Sequence, residues 1–506
     1  MDTFEGDMNA GNVFGGKQMG VSLWTGVALF VNFTIGSGFL MVPWAFYESG
    51  PILGFFMTSI IIFFQWVSNR QTLEVHARAN LLDERIKFAL MNEEDLDQII
   101  EETAQLAGIE HESERQIVTL EEQEAPPEPE PYIVTQQINL PVLVGLFMGR
   151  KHMMAYTVQF TLANYMTLWL WVAVFATSWA TYVPFSGMSY EGSYLLYCFI
   201  VMCIQTPWGM LSLEDQAEVQ VLMFGARLLI FFLCFFTVIV AWSADINAFD
   251  LGSENASYTP EDDGMWRMSN LYVVVTVMTF CSLNNYALPP LISAVESKAD
   301  LKSIIFIVGL ISFTIYSGFG LILGIYFGDN VETPVSTLWE NFTGLSDAGG
   351  TTPLYAQIIA GYIVIFPSLD VMSAYAMVVA VACDNALYFM LGPDETNALM
   401  RENKSIYYTL RGLSAALPAA GAMAVSDLGY LTVLGGLICF TLQFMYSPLL
   451  SRYSKEVLTK LNKPLKTAYT LDHDEDIAFW MVAVGVVMLL YLIISFCVEG
   501  VPSELT

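Results

Sequence analysis

The feature that most constrains this chain is a series of eleven long apolar stretches. A helix needs about 20 apolar residues to cross a bilayer. By that criterion we predict membrane spans near residues 20–45, 51–76, 155–183, 193–211, 219–243, 268–295, 302–327, 353–383, 409–425, 428–450 and 477–498. Charged residues make up 14% of the chain, against about 25% in soluble proteins. The sequence therefore predicts an all-α integral membrane protein with about eleven transmembrane helices.

The basic residues predict which way these spans are oriented. If the N-terminus is cytoplasmic, eighteen of the twenty Lys and Arg residues lie inside or at the inner membrane boundary. Arg267 then lies outside, and Arg227 lies in the inner part of the fifth span. This bias is the positive-inside pattern of multi-pass proteins. The predicted order is a cytoplasmic tail (1–19), two spans (20–78), an acidic cytoplasmic loop (79–152), nine spans (153–498) and an extracytoplasmic tail (499–506).

The predicted acidic loop differs in composition from the rest of the chain. Between Asp83 and Glu130 there are sixteen Asp and Glu residues against three Arg and Lys residues. Such a segment has too few apolar groups to form a core, and we expect it to be partly disordered. Its portion "NEEDLDQIIEETAQLAGIE", which begins at Asn92, has the apolar spacing of one short amphipathic helix. The loop is either a solvated linker or a docking site for a protein partner between residues 83 and 131.

The first span is interrupted near its middle. Its sequence "NFTIGSGFLMVPWAF" places Gly36 and Gly38 two residues apart and Pro43 five residues further on. Unsatisfied backbone groups in the hydrocarbon cost several kcal/mol each, so irregular backbone is tolerated there only where it lines a polar cavity. Free N–H groups at a half-helix end bind a carboxylate, and free carbonyls bind a cation or an ammonium group. Glycine also lets a ligand approach the backbone closely.

The sixth span is interrupted in a corresponding way. Its sequence "VMTFCSLNNYALPPLISAVES" contains Asn284, Asn285 and the pair Pro289-Pro290. Interrupted helices at the first and sixth positions are the signature of a five-plus-five inverted repeat with a midplane binding site. The alternative is that the glycines permit close helix packing and the prolines make a simple kink. The predicted substrate-binding residues are Thr34, Ile35, Gly36, Ser37, Gly38, Ser282, Asn284, Asn285 and Tyr286, the last also as an aromatic gate.

At these residues the chain resembles a known family. "NFTIGSGFLMVPWAF" is similar to the first helix of the amino acid/auxin permease family, within the amino acid–polyamine–organocation superfamily. Three further stretches resemble its transmembrane protein 104 branch, namely "MTLWLWVAVFATSWATYVPFS" (166–186), "YALPPLISAVESKADLKSIIF" (286–306) and "FPSLDVMSAYAMVVAVACDN" (366–385). The resemblance implies a LeuT-like fold and secondary transport of an amino acid by Na⁺ or H⁺ symport.

The resemblance also implies a site for the coupling cation. Asn32 matches the position of a cation-site asparagine on the first helix of sodium-coupled members, and Ser373 matches the hydroxyl on their eighth helix. With the carbonyl of Ile35, these residues would hold Na⁺, since hard cations bind oxygen ligands. For Asn32 the alternative is an interhelical hydrogen bond, and for Ser373 it is a bond within its own helix.

Asp370 is a further candidate, inferred from the residue itself. It lies in the middle of the predicted eighth span, one turn before Ser373. An intramembrane carboxylate costs about 2.5–3.5 kcal/mol on insertion scales and marks a functional site by default. Asp370 is therefore predicted to bind Na⁺, to take up the coupled proton or to hold a substrate ammonium. The alternatives are a structural pair with a hydroxyl and a position that faces a loop.

Three other kinds of membrane protein were weighed against a transporter. An enzyme is not expected, because the four histidines lie in or beside loops and no HExxH, GxSxG or P-loop pattern occurs. A channel would need a repeated pore segment or a charged ring, which the sequence lacks. A nutrient sensor that signals through its acidic loop stays open as the alternative. The predicted location is the plasma membrane or an endolysosomal membrane, with no nucleic-acid partner and no cofactor besides Na⁺.

Overall fold

The chain is helical throughout the part that the structure describes. The computed structural model describes residues 21–91, 132–209, 217–251, 264–345, 352–471 and 473–499. Within these ranges β-structure is limited to three isolated bridges. The α-helices are α1 Leu23–Thr34, α2 Val42–Ser49, α3 Pro51–Asn80, α4 Glu84–Met91, α5 Leu140–Met148, α6 Arg150–Tyr182, α7 Tyr190–Trp208, α8 Ala217–Ser243, α9 Leu271–Ser282, α10 Leu288–Ala294, α11 Leu301–Phe327, α12 Leu354–Leu391, α13 Pro393–Glu402, α14 Lys404–Ala424, α15 Leu428–Thr441, α16 Ser447–Lys460 and α17 Asp474–Glu499.

The helices fit a multi-pass membrane protein in contact with lipid. Among the described residues, eight helices are long and apolar enough to cross a membrane, and the bent pair formed by α1 and α2 makes a ninth. The remaining two predicted spans coincide with α7, of 19 residues, and α14, of 21 residues. These two are long enough but less apolar than the other nine. The prediction of a helical membrane protein is confirmed.

Several helices continue beyond the predicted end of the apolar stretch. Helix α3 runs to Asn80 rather than 76, and α12 runs to Leu391 rather than 383. The last turns of α3 carry Glu74 and Arg78, which are almost completely buried and form an ion pair. Each charge of the pair offsets part of the cost of burying the other, which a count of apolar residues does not register. The predicted break between the ninth and tenth spans is confirmed, where Asp427 caps α15 by accepting from the amide of Tyr430 (2.9 Å).

The predicted acidic loop contains ordered structure that the sequence interpretation missed. Helices α4 and α5 lie inside the range 79–152. Helix α5 has nine residues with a proline in its first turn, which is too short to cross a bilayer. Its apolar residues are nevertheless buried, among them Leu143 and Val144. The predicted amphipathic helix that begins near Asn92 lies outside the described residues.

Residues 132–139 form an extended segment, which we call the strap. The Asn80 side chain accepts hydrogen bonds from the amides of Thr135 (2.8 Å) and Gln136 (3.1 Å). Near its other end, the carbonyl of Ile138 lies 2.9 Å from Nε2 of His76. The strap is therefore fixed along the last two turns of α3.

The first and sixth spans are joined by backbone hydrogen bonds at one end of the helix bundle. The amide of Val21, just before α1, donates to the carbonyl of Ala294 at the end of α10 (2.9 Å). The amide of Glu296 donates in return to the carbonyl of Val21 (3.2 Å). We call this end of the bundle the Val21 face.

The same two spans are joined again at the opposite end, which we call the Gly50 face. The amide of Arg267, just before the sixth span, donates to the carbonyl of Ser49 at the end of α2 (2.8 Å). The amide of Ile52 donates to the carbonyl of Met265 (3.2 Å). The start of each span thus pairs with the end of the other, so the two interrupted spans run antiparallel and side by side.

Candidate functional site at the two helix breaks

The first span breaks in the middle of the bundle. Helix α1 ends at Thr34, and a 3₁₀ turn, Ser37–Met41, leads into α2 with a bend of 51° between the two halves. Gly36 is extended, with φ −79° and ψ −170°. In a continuous helix each carbonyl accepts from the amide four residues later. The break therefore frees the carbonyl oxygens of residues 32, 33 and 34.

Each of these freed carbonyls accepts a hydrogen bond from a side chain of another helix. The pairs are Asn32 O with Arg227 Nη1 (3.0 Å), Phe33 O with the Tyr286 hydroxyl (3.1 Å) and Thr34 O with the Tyr316 hydroxyl (3.1 Å). An uncapped carbonyl buried in this way would cost the full free energy of its desolvation. The three donors come from α8, from the break in the sixth span and from α11, so the break is stabilised from three sides.

The sixth span breaks beside the first. Helix α9 ends at Ser282, a 3₁₀ turn covers Asn285–Ala287, and α10 begins with two prolines in its first turn. The hydroxyl of Tyr316 lies 2.8 Å from the carbonyl of Cys281, as well as bonding Thr34. The carbonyl of Ser282 accepts from Nε2 of Gln65. Tyr316 therefore contacts the freed carbonyls of both breaks, which lie side by side.

The two glycines of the first break have different surroundings. A Cβ atom at Gly38 would lie 2.9 Å from Sγ of Cys281, and that thiol donates to the carbonyl of Gly38 (3.1 Å). A Cβ atom at Gly36 would meet nothing within 4 Å. Gly38 is thus needed for the packing of the two spans, whereas open space lies beside Gly36.

A chain of amides links the breaks to α3. Nδ2 of Asn284 donates to the hydroxyl of Thr34 (2.8 Å), and Nδ2 of Asn69 donates to Oδ1 of Asn284 (2.9 Å). Asn285, by contrast, donates to the hydroxyls of Ser68 (3.0 Å) and Ser447 (3.2 Å). Of the predicted asparagines, Asn284 contacts the first break directly, and Asn285 faces α3 and α16.

Ser282 and Ser37 complete the predicted substrate-binding residues. The hydroxyl of Ser282 is buried, donates to the carbonyl of Thr279 (3.4 Å) and accepts from Nε2 of Gln443 (3.3 Å). It is therefore engaged between α9 and the segment that joins α15 to α16. Ser37 contributes the first residue of the 3₁₀ turn, and that turn begins without a side-chain cap. The amides at the start of such a turn are available to an anion.

The predicted cation-coupling residues are arranged around an arginine. Nη2 of Arg227 lies 2.5 Å from Oδ1 of Asp370, and only 4% and 3% of these side chains are exposed. The same guanidinium bonds the carbonyl of Asn32 through Nη1 (3.0 Å). The hydroxyl of Ser373 donates to the carbonyl of Asp370 within its own helix (2.7 Å). The positive group that contacts both Asn32 and Asp370 is therefore a side chain of the protein.

Sequence reasoning did not assign a site role to Arg227, Tyr316, Gln65 or Asn69. Arg227 carried the clearest signal, because it is a cation within a largely apolar helix and Asp370 carries the opposite charge in another span. Ionisable residues inside the membrane usually pair with one another. The sequence placed Arg227 in the fifth span without naming its partner. Tyr316 carried no signal, because a tyrosine in an apolar helix is ordinary core composition.

The Val21 face carries a second polar cluster, outside the spans. Tyr469 lies in the segment between α16 and α17, and its hydroxyl donates to the carbonyl of Lys298 (2.8 Å). Burial raises the pKa of the Tyr469 phenol, so the hydroxyl stays protonated at neutral pH. Arg70 of α3 bonds the Tyr469 carbonyl through Nε (3.1 Å) and Nη2 (2.9 Å). The amide of Ala468 bonds the Tyr132 carbonyl (2.9 Å), which connects this segment to the strap.

Comparison with known proteins gives no family. No protein-family model matches the chain, and no curated protein matches it. The resemblance to the amino acid/auxin permease family therefore stays a prediction that depends on the residues quoted above.

Proposed function

We propose that this protein is a secondary active transporter that carries an amino acid, most simply a neutral one, across a membrane by Na⁺ or H⁺ symport. The proposal includes a LeuT-like five-plus-five inverted repeat, a cytoplasmic N-terminus and membership of the amino acid/auxin permease family. The observation that carries it is the meeting of two broken, antiparallel spans, whose freed carbonyls share the Tyr316 hydroxyl. Broken helices of this kind form midplane binding sites in transporters.

The geometry of the first break supports an amino acid as the substrate. The space beside Gly36 adjoins the start of the 3₁₀ turn, where backbone amides can receive a carboxylate. The freed carbonyls of residues 32–34 lie on the other side of the same break, and each retains a second lone pair for an ammonium group. A zwitterion matches this separation of donors and acceptors.

The Arg227–Asp370 pair supports a link between substrate binding and ion coupling. In a rocking-bundle cycle the first, second, sixth and seventh spans move against the others. Tyr286 and Tyr316 then move together with the first break that they cap. Arg227 and Asp370 belong to the other group of helices, so the Arg227 bond to Asn32 crosses the moving interface. Protonation of Asp370, or a cation near Asn32, would alter that bond.

Uptake into proteoliposomes tests the proposal. The purified chain is reconstituted, and accumulation of a labelled amino acid mixture is measured under an imposed Na⁺ gradient and then under an H⁺ gradient. We expect accumulation under one of them. Gly36→Ala should reduce it at least tenfold, because the methyl group enters the open space without meeting protein atoms. Gly225→Ala is the matched control, since a Cβ there also meets nothing within 4 Å and the residue is exposed on α8.

Failure of uptake would favour the alternative function, a nutrient sensor. A folded protein that accumulates nothing under either gradient contradicts the transporter proposal. One observation supports the sensor, namely that the strap leads from the acidic segment to Tyr469 and α3. Replacing residues 95–128 by a short Gly/Ser linker should leave uptake unchanged in a transporter. In a sensor the same replacement should abolish recruitment of a protein partner.

A further inference from the structure

A narrow crevice lies on the side of the breaks that faces α3 and α11. Its lining includes Gln65 and Asn69 of α3, Asn284 of the sixth span, and Gly309 and Ser312 of α11. None of the first-span residues that are predicted to bind the substrate lines this crevice. The crevice touches that site only through Asn284, which bonds Thr34.

Three side-chain oxygens of the crevice residues are buried and lack hydrogen-bond partners among the described residues. They are Oε1 of Gln65, Oδ1 of Asn69 and Oγ of Ser312. These residues are 2%, 2% and 0% exposed. Buried polar groups in native proteins are nearly always paired, so three orphaned oxygens around one crevice require an explanation.

The hydrogen-bond network fixes the amide of Asn69 with its oxygen free. The hydroxyl of Thr34 donates its one proton to the carbonyl of Phe30 (2.7 Å), so it can only accept from Asn284. The nitrogen of the Asn284 amide therefore faces Thr34 and its oxygen faces Asn69. Asn69 must in turn present its nitrogen to that oxygen (2.9 Å). With the Thr34 proton directed at the carbonyl of Phe30, the remaining atom of Asn69 is an oxygen.

The same reasoning fixes Gln65. Its Nε2 donates to the backbone carbonyl of Ser282, which can only accept. The other terminal atom of Gln65 is therefore an oxygen as well. The crevice thus brings together two carboxamide oxygens and a hydroxyl, which is the ligand set of a hard cation.

The size of the crevice distinguishes a bare cation from water. The space between its lining side chains is too thin to admit a water molecule. The indole Nε1 of Trp66, also in the lining, lacks a partner as well, and a water that bridged it to the oxygens would need that room. A dehydrated monovalent cation is smaller and needs only oxygen ligands.

We propose that this crevice is a Na⁺ site formed by Gln65, Asn69 and Ser312. The existence of the binding site is inferred from these residues alone. Its role as the site of the coupling ion rests on the proposed transport function. A cation bound to Asn69 would polarise the amide chain that runs through Asn284 to Thr34 at the first break. Binding of Na⁺ would thereby stabilise the conformation in which the two breaks meet. Arg227 supplies a separate, permanent positive charge on the α8 side of the same break.

Thermal unfolding of the purified full chain tests the site without any assay of transport. Melting temperature is measured in detergent against NaCl, with choline chloride keeping the ionic strength constant and KCl as a second series. A ligand that binds only the native state raises the melting temperature with its concentration. We expect such a rise with Na⁺ and little with choline. Ser312→Ala should increase the half-saturating Na⁺ concentration on the order of tenfold, as expected for one lost ligand.

Ser317→Ala is the matched control. Ser317 lies on the same helix, is 5% exposed and has an unpartnered hydroxyl, but it does not line the crevice. Its Na⁺ response should equal that of the unmodified chain. Gln65→Met is a second probe, because it removes a different one of the three oxygens and keeps the length of the side chain. It should weaken the Na⁺ response even if Ser312→Ala does not fold.

The outcomes separate this site from the proposed function. No Na⁺-specific stabilisation, or equal effects of Ser312→Ala and Ser317→Ala, overturns the site. An unchanged Na⁺ response in Gln65→Met overturns it too. A Na⁺ response that is lost in Ser312→Ala but is accompanied by no uptake under any gradient supports the site and contradicts transport. Na⁺-driven uptake whose Na⁺ dependence is unchanged in Ser312→Ala supports transport and removes this site from the coupling.

Discussion

At the scale of single residues, the buried pair of Arg227 and Asp370 is the interaction most sensitive to substitution. Both side chains are nearly inaccessible, so removing one charge leaves the other buried without a counter-charge. We expect Asp370→Asn to lower the free energy of unfolding by about 3–5 kcal/mol. Arg227→Gln should have a similar effect, and the double variant should recover most of the loss. Unfolding by denaturant in detergent micelles measures all three.

An exposed ion pair provides the control for this experiment. Arg452 and Glu456 lie one turn apart on α16, with 69% and 54% of their side chains exposed. Glu456→Gln should change the unfolding free energy by about 1 kcal/mol or less. Additive losses in the Arg227/Asp370 double variant would show that the two charges do not stabilise each other. If Asp370→Asn loses uptake, the loss indicates a role of Asp370 in coupling only when the double variant also fails to transport.

Tyr316 is the second residue whose role can be isolated. Its hydroxyl lies within hydrogen-bond distance of two carbonyls that the helix breaks have freed. Because it has one proton to donate, Tyr316→Phe leaves one buried acceptor without a donor. We expect a loss of about 1–3 kcal/mol in unfolding free energy and a marked fall in uptake. Tyr375→Phe is the control, because the Tyr375 hydroxyl bonds the carbonyl of Ala415 (2.8 Å), inside the uninterrupted helix α14. Equal effects of the two changes on uptake would rule out a special role for Tyr316.

At the scale of helices, the sequence predicted where the breaks fall but not what stabilises them. Gly36, Gly38 and Pro289-Pro290 act on their own backbone, so their effect can be recognised locally. The groups that cap the freed carbonyls lie far away in the chain, such as Tyr316 on α11 and Arg227 on α8. Which polar side chain reaches a given carbonyl depends on helix rotation and packing. A single sequence contains no direct record of either.

Hydropathy also failed to predict the end of α3 and the short helix α5. Helix α5 is apolar and buried but has only nine residues, so a search for spans assigned it to the loop. The end of α3 was placed too early because its last turns carry Glu74 and Arg78. Their burial depends on partners in α16, including the hydroxyl of Ser454, which accepts from Nη1 of Arg78 (2.9 Å). Contacts with other helices therefore determine both the end of α3 and the burial of α5.

The strap offers a test at the same scale. Asn80 accepts from two strap amides, so Asn80→Ala should loosen the strap around Thr135 and Gln136. Two lost bonds of about 1 kcal/mol each should increase cleavage by chymotrypsin after Tyr132 on the order of tenfold. Asn270→Ala is the control, because its amide bonds Glu48 on the Gly50 face (3.0 Å). An unchanged cleavage rate in Asn80→Ala would show that other contacts hold the strap in place.

At the scale of the whole molecule, the described helices form one bundle that is closed at both ends of the interrupted spans. The closely packed pairs α6 with α12, α9 with α15 and α3 with α11 surround the two breaks. Thr34, Ile35 and Asn284 are almost completely buried. Asn32 and Gly36 at the same break are partly buried. In the proposed cycle, the opening of one face gives a ligand access to the breaks. In the proposed cycle, opening also requires the Arg227 guanidinium to release the carbonyl of Asn32.

Because the first and sixth spans pair in an antiparallel way, the opening of each face can be measured separately. Hydrogen–deuterium exchange of the Val21 and Glu296 amides requires the Val21 face to separate, whereas exchange of the Ile52 and Arg267 amides requires the Gly50 face to separate. Mass spectrometry of the corresponding peptides therefore measures two opening frequencies within one sample. For an alternating-access protein we expect the two rates to shift in opposite directions when a saturating substrate or ion gradient favours one orientation. Rates that rise and fall together would describe a bundle that loosens as a whole.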